Sequence, residues 1–115
     1  MIKGTFKRNE AGRIISCEVS GHAGLGNEGE DIVCAAISAL TFNSVNSIDS
    51  LAGVQPLIDK NDDVKGGYLY VEVPTSLTQE QTNIIQILLE SLLLGFQAVQ
   101  EEYSEYIQIE TITKK

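Results

Sequence analysis

Positive charge is scarce in this chain. Its 115 residues carry 8 Lys and Arg against 16 Asp and Glu, giving a formal net charge of -8 and a pI near 4.5. Long-range attraction to nucleic-acid phosphates or to an anionic lipid surface is therefore disfavoured, so neither direct nucleic-acid binding nor a membrane partner is expected. A basic peptide or protein is what such a field draws in, although acidity serving solubility alone gives the same figure. Cysteine is scarce: Cys17 and Cys34 are the only two, without a CxxC spacing. No metal site is expected from them, and in a reducing compartment they read as separate thiols rather than a disulfide. No basic stretch leads into an apolar run after Met1, so no signal peptide is expected and the expected location is the cytoplasm. The most apolar stretch, Ile84 to Val99, is interrupted by Gln86, Glu90, Ser91 and Gln97 and falls short of the roughly 20 residues that cross a bilayer. It reads as a core helix. Histidine occurs once, at position 22.

What is present points to one domain spanning 1–115, with a core large enough to fold but small enough that burial between two copies would add stability. Ile2 to Lys7 and Arg13 to Ser20 suit strands joined by a turn at Asn9-Glu10-Ala11-Gly12. In the second strand Ile15, Cys17 and Val19 alternate against Ser16, Glu18 and Ser20, which makes Cys17 a core residue. Gly21, Gly24, Gly26 and Gly29 then mark an irregular loop to Glu30. Asp31 is a reasonable N-cap for a helix in which Val33, Ile37, Leu40, Ser44, Ile48 and Leu51 recur at helical spacing up to Gly53. Leu57 to Lys60 and Tyr68 to Val73 form a second hairpin across a polar turn. Thr78 with Gln81 forms a capping-box pattern, opening a helix to about Tyr103 whose apolar surface is wide enough to reach a dimer contact or to lie beneath the other helix. Tyr106 to Ile112 alternates as a last strand. The order ββαββαβ predicts an α+β domain, two long helices packed on a mainly antiparallel sheet.

Cys34 carries the strongest chemical signal. Read with Asp31 as the cap, it lies about three residues into its helix, where unpaired N–H groups and the helix dipole favour a thiolate. His22 stands where the second strand gives way to the loop, within feasible reach of the same helix start. At roughly 100° per residue, Asp31, Cys34, Ser38 and Thr41 share one arc, opposite Val33, Ile37, Leu40 and Leu51. Asp31 is suited to orienting an imidazole or to capping the helix. Ser38 is suited to holding a substrate carbonyl or to bonding back to its own helix. Gly24 to Gly29 also fits GxGxxG, but the loop carries Glu28, Glu30 and Asp31 without a basic residue, and the preceding strand belongs to a hairpin, so a dinucleotide site is rejected. No cofactor is expected.

Gly21-His22-Ala23-Gly24, a glycine-rich spacer, and then Asp31-Ile32-Val33-Cys34-Ala35-Ala36-Ile37-Ser38 resemble the signature of the ribosomal-processing cysteine proteases of bacteria. The resemblance implies a homodimeric cysteine endopeptidase that removes the short N-terminal extension of a large-subunit ribosomal protein after a pair of phenylalanines. It matches His22 and Cys34 to the catalytic pair and Asp31 and Ser38 to supporting positions. Its chemistry would be thiolate attack with His22 moving the proton, the oxyanion held by backbone N–H groups of Cys34 and Ala35, and the glycine loop closing over the peptide. Phe42 is one candidate for the wall of an apolar groove, with core packing as its other role. Two readings outside this family stand beside it: a non-enzymatic dimeric module binding a ribosome assembly partner, and a redox sensor at Cys34, for which Cys17 offers no obvious resolving thiol.

Overall fold

Two short-range patterns fix the start of the fold. Alternation in Ile2–Arg8 (β1) and Ile14–Ser20 (β2) places one face of each strand inward, and Asn9 and Gly12 close the turn between them, Gly12 N–H donating to the Asn9 carbonyl at 3.0 Å. The computed structural model describes residues 1–21, 28–60 and 67–114, with the backbone alone over 28–30. Helix α1 spans Glu28–Ser47 and widens into π-type turns over Ile48–Ala52; β3 (Leu57–Lys60), β4 (Tyr68–Glu72), α2 (Gln79–Glu102) and β5 (Ile107–Thr113) complete the chain. The order is the expected ββαββαβ. The turn through Asn61, Asp62 and Asp63 to Gly66 lies outside the described residues.

The strands form one sheet in the order β3-β4-β2-β1-β5, antiparallel throughout except for the parallel pair β1 and β5. Both helices cover one face of it. Phe6, Cys17, Val19 and Ile107 point into a core shared with Val33 and Ile37 of α1 and with Ile85, Leu89, Leu92, Leu93 and Phe96 of α2. Phe6 and Phe96 meet edge to face with centroids 5.3 Å apart, an arrangement favoured by the ring quadrupoles.

Three local irregularities correct the periodic reading. Lys7 pairs with Ser16 but Arg8 pairs with Ile14, so Ile15 is an extra residue in a bulge. A bulge exchanges the faces beyond it; Ile14 is therefore fully buried, and Ile15, expected in the core, is only half-buried. The π-type turns do the same for α1: Ile48 and Ala52 face the core, whereas Leu51 is 63% exposed. Thr41, read as part of a polar face, is instead buried, its hydroxyl donating to the Ile37 carbonyl at 2.7 Å. That bond satisfies the hydroxyl within its own helix.

Helix α2 follows its expected bounds. Thr78 caps it, accepting from the Gln81 N–H at 3.1 Å while the Gln81 side chain accepts from the Thr78 N–H at 3.0 Å. By length and composition both α2 and the segment Asp31–Ala52 are apolar enough to cross a bilayer, which corrects the expectation that the Ile84 to Val99 region is too short. Reading it as a core helix holds, because Ile85, Leu89, Leu92, Leu93 and Phe96 bury in the core beneath it.

Candidate active site

The site is built where α1 crosses the β4 side of the sheet. Val33 and Ile37 anchor the helix into the core, and the intervening turn leaves Cys34 half-buried at the surface. Ser38 follows one turn later on the same line. Cys34, Ile37, Ser38, Thr41 and Phe42 of α1 face Val19, Tyr68, Leu69 and Lys60 of the sheet across a cleft of about 120 Å³. Apolar side chains dominate its walls.

Phe42 is 48% exposed. It is a wall of this cleft rather than a core residue, and the Lys60 ammonium lies 5.9 Å from its ring centroid, within range of cation–π attraction. The Tyr68 hydroxyl donates to Glu18 at 2.8 Å. That bond, helped by burial and by the Glu18 charge, pushes the Tyr68 pKa up to about 12. The phenol is thereby tied to the carboxylate as a neutral donor. Among the described residues no three of His, Cys, Asp and Glu converge as a metal site would require.

The two cysteines differ sharply. Cys17 pairs across the sheet with Phe6 and Val71 and is 2% exposed. Burial, with a smaller contribution from the Glu18 charge, pushes its thiol up to about 12, so it is an inert core group. Cys34 is half-buried and lines the larger cleft beside β4.

Helix α1 starts earlier than the sequence suggests. With its first residue at Glu28, Asp31 is not the N-cap but lies in the first turn, exposed, where the dipole still favours a carboxylate. Cys34 sits nearly two turns in. Its N–H and that of Ala35 fall beyond the four unpaired groups of a helix start and bond to carbonyls of the preceding turn. They are not free to form the expected oxyanion hole. Gly29 likewise belongs to the helix and not to the loop. Of the other expected site residues, Gly21 ends β2 with φ +78°, while His22, Gly24 and Gly26 lie outside the described residues. The structure thus brings Cys34 and Ser38 to one cleft and leaves Asp31 outside its lining. Reading the sequence missed Val19, Lys60, Tyr68 and Leu69, whose spacing along the chain carries no sign that they meet.

A half-buried thiol and a neighbouring hydroxyl share an apolar cleft on a helix packed over a five-stranded sheet, in a two-layer α+β domain. The comparisons name the family. A profile of the family described as Cysteine protease Prp matches residues 1–108, and the chain belongs to that family. It is 36% identical over 111 residues to the Ribosomal processing cysteine protease Prp of Bacillus subtilis (strain 168), covering 96% of this chain and 97% of that protein. Its fold superposes on the crystal structure of SMU.848 from Streptococcus mutans with a TM-score of 0.88 and 35% identity, covering 99% of this chain and 96% of that one. A second neighbour is the essential ribosomal processing protease Prp from S. aureus in complex with a substrate peptide, at TM-score 0.76 and 32% identity, covering 96% of this chain and 99% of that one. The protein is accordingly a cysteine peptidase, a hydrolase, and the non-enzymatic and redox-sensor readings fall away.

Proposed function

We propose that this peptidase removes the N-terminal extension of a large-subunit ribosomal protein precursor by attack of Cys34, assisted by His22. The cleft beside Cys34 carries the reading: its walls of Val19, Ile37, Phe42 and Leu69 suit an aromatic side chain of a substrate strand whose carbonyl lies at the thiol. His22 takes the thiol proton, the thiolate adds to the scissile carbonyl, and His22 returns the proton to the leaving amine. Water then hydrolyses the thioester. Ser38, one turn beyond Cys34 in the same cleft, is the hydroxyl that donates to a substrate carbonyl oxygen. Asp31, exposed in the first turn of the same helix, supports the site. A ribosomal protein precursor is a cytoplasmic substrate, and the reaction belongs to the cytoplasm.

The protein acts as a homodimer. Ile87 and Leu94, two turns apart on one line of α2, are 70% and 67% exposed, and a second copy covering that line would remove it from water. Charge agrees with the substrate class, because a chain of net charge -8 attracts basic ribosomal proteins.

The test is mass spectrometry of a peptide spanning a phenylalanine-pair extension, incubated with the parent, Cys34→Ala and His22→Ala proteins. A single cut made by the parent only is the expected result. An intact peptide and an intact full-length precursor with folded parent protein would overturn the substrate assignment, and cleavage by His22→Ala at the parent rate would remove His22 from the mechanism.

A further inference from the structure

Two lines of side chains face each other across the cleft. Sheet register sets Val19 opposite Leu69 and Leu69 opposite Lys60, so the three stand in one row across β2, β4 and the edge strand β3. Burial falls along that row, from Val19 at 3% exposed through half-buried Leu69 to exposed Lys60. On α1, Cys34, Ser38 and Phe42 follow at intervals of four and share a face. The two lines meet at the edge of the sheet, where the Lys60 ammonium lies 5.9 Å from the Phe42 ring centroid. Attraction to the ring keeps the ammonium at the rim of the cleft. Among the described residues that line the cleft, Lys60 is the only Lys, Arg, Asp or Glu.

We infer that Lys60 is a specificity-determining residue, a cationic rim that refuses a basic side chain of the substrate. The inference rests on the reading of a substrate strand lying along the cleft with its scissile carbonyl at Cys34. Phe42 stands two turns beyond Cys34, about 12 Å along the helix axis, and an extended strand covers that distance in about four residues. The rim therefore meets the third or fourth residue from the scissile carbonyl. That residue belongs to the extension, because the body of a ribosomal protein beyond the cut is basic and the rim repels it.

An ammonium or guanidinium brought to this rim meets a like charge beside apolar walls, where repulsion is screened less than in water. An uncharged chain of the same length lays its carbons against Phe42 and Leu69 without that cost. The rim offsets a hazard that the overall charge creates. A net charge of -8 draws basic proteins in, and a peptidase that cut wherever a basic chain reached its thiol would destroy its own product. Bonds inside a Lys- and Arg-rich body bring a basic residue to the rim and are rejected. A bond behind an uncharged stretch of the extension is accepted.

The experiment scans the phenylalanine-pair peptide. Each of the four residues on either side of the scissile bond, the phenylalanines excepted, is replaced in turn by norleucine and by lysine, which have similar chains and differ in charge. Values of kcat/KM are compared for the parent, Lys60→Met and Lys60→Glu, with Cys34→Ala as the control for cleavage by this thiol. In the parent, lysine is expected to be at least about ten-fold worse than norleucine at the third or fourth residue before the cut. Lys60→Met is expected to bring that ratio close to unity and Lys60→Glu to invert it, with the ratios at the other positions unchanged. Both peptides meet the same enzyme sample, so the ratio does not depend on the fraction folded, and Lys60 is exposed, which spares the core. The same ratios in all three proteins would overturn the inference, and a ratio that responds to Lys60 at another position would overturn its placement. If the parent leaves the phenylalanine-pair peptide uncut, or Cys34→Ala cuts it as well, the reading of the substrate strand fails and takes the inference with it.

Discussion

The two long helices lie on the same sheet and do opposite work. Helix α2 is regular, capped at its start, and stitched to the strands along its length. Gln86 donates to the Ile14 carbonyl at 2.9 Å and accepts from the Ile14 N–H at 2.7 Å. Glu90 accepts two bonds from Arg8, at 2.5 and 2.9 Å, and the Gln100 side chain accepts from the Ile109 N–H. Helix α1 has polar residues inside, Thr41 and Ser44, widens into π-type turns, and leaves Phe42 and Cys34 along a cleft. The incomplete cover over α1 leaves an open path to the Cys34 thiol. Because α2 closes the core so thoroughly, α1 can leave its cleft open without loss of the fold.

That division predicts effects that separate stability from chemistry. The largest is catalytic: Cys34→Ala should lower peptide cleavage by at least about 10³-fold while the thermal midpoint hardly moves, since the residue is only half-buried. An equal loss of stability would mean that the thiol packs the core. The opposite case is Phe96→Ala, which removes a fully buried ring stacked on Phe6 and should cost about 3–5 kcal/mol in urea unfolding. Gln86→Ala leaves both backbone groups of Ile14 without their side-chain partner and should cost about 2 kcal/mol. Loss of the cap in Thr78→Ala should cost about 1 kcal/mol by the same measurement, with cleavage at low temperature unaffected.

The smallest effect concerns pH. The Arg8 hydrogen bond, and after it the charge of Arg8, hold the Glu90 pKa below its ordinary value despite an opposing effect of burial. A carboxylate whose folded pKa is depressed stabilises the fold above its unfolded pKa of about 4.3, and that contribution is lost as pH falls through the lower, folded value. With side chains 25% and 44% exposed, solvent screening limits it to about 0.5 kcal/mol. The difference in stability between parent and Glu90→Gln should therefore shrink on acidification below about pH 4; a constant difference would show that packing and not charge ties β1 to α2.

The sequence was most legible where one periodicity ran unbroken. Thr78 and Gln81 announced α2, and alternation through Tyr68 to Val73 announced β4. It failed where one inserted residue rotates everything after it: Ile14 displaced Ile15 at the bulge, and Ala52 displaced Leu51 in the π-type turns. The start of α1 was misplaced because Asp31 is a good capping residue and Gly29, a poor helix former, reads as part of the glycine run before it.

By itself the sequence determined the element order, the place of Cys17 in the core, and the two motif blocks that the family carries, because each depends on neighbours a few residues away. Only the tertiary structure decided which side chains share the cleft with Cys34, and that Phe42 is a wall and Thr41 is core. Those are meetings between strands and helices far apart in the chain, fixed by sheet register and by the packing of both helices on one face, and no local pattern encodes them.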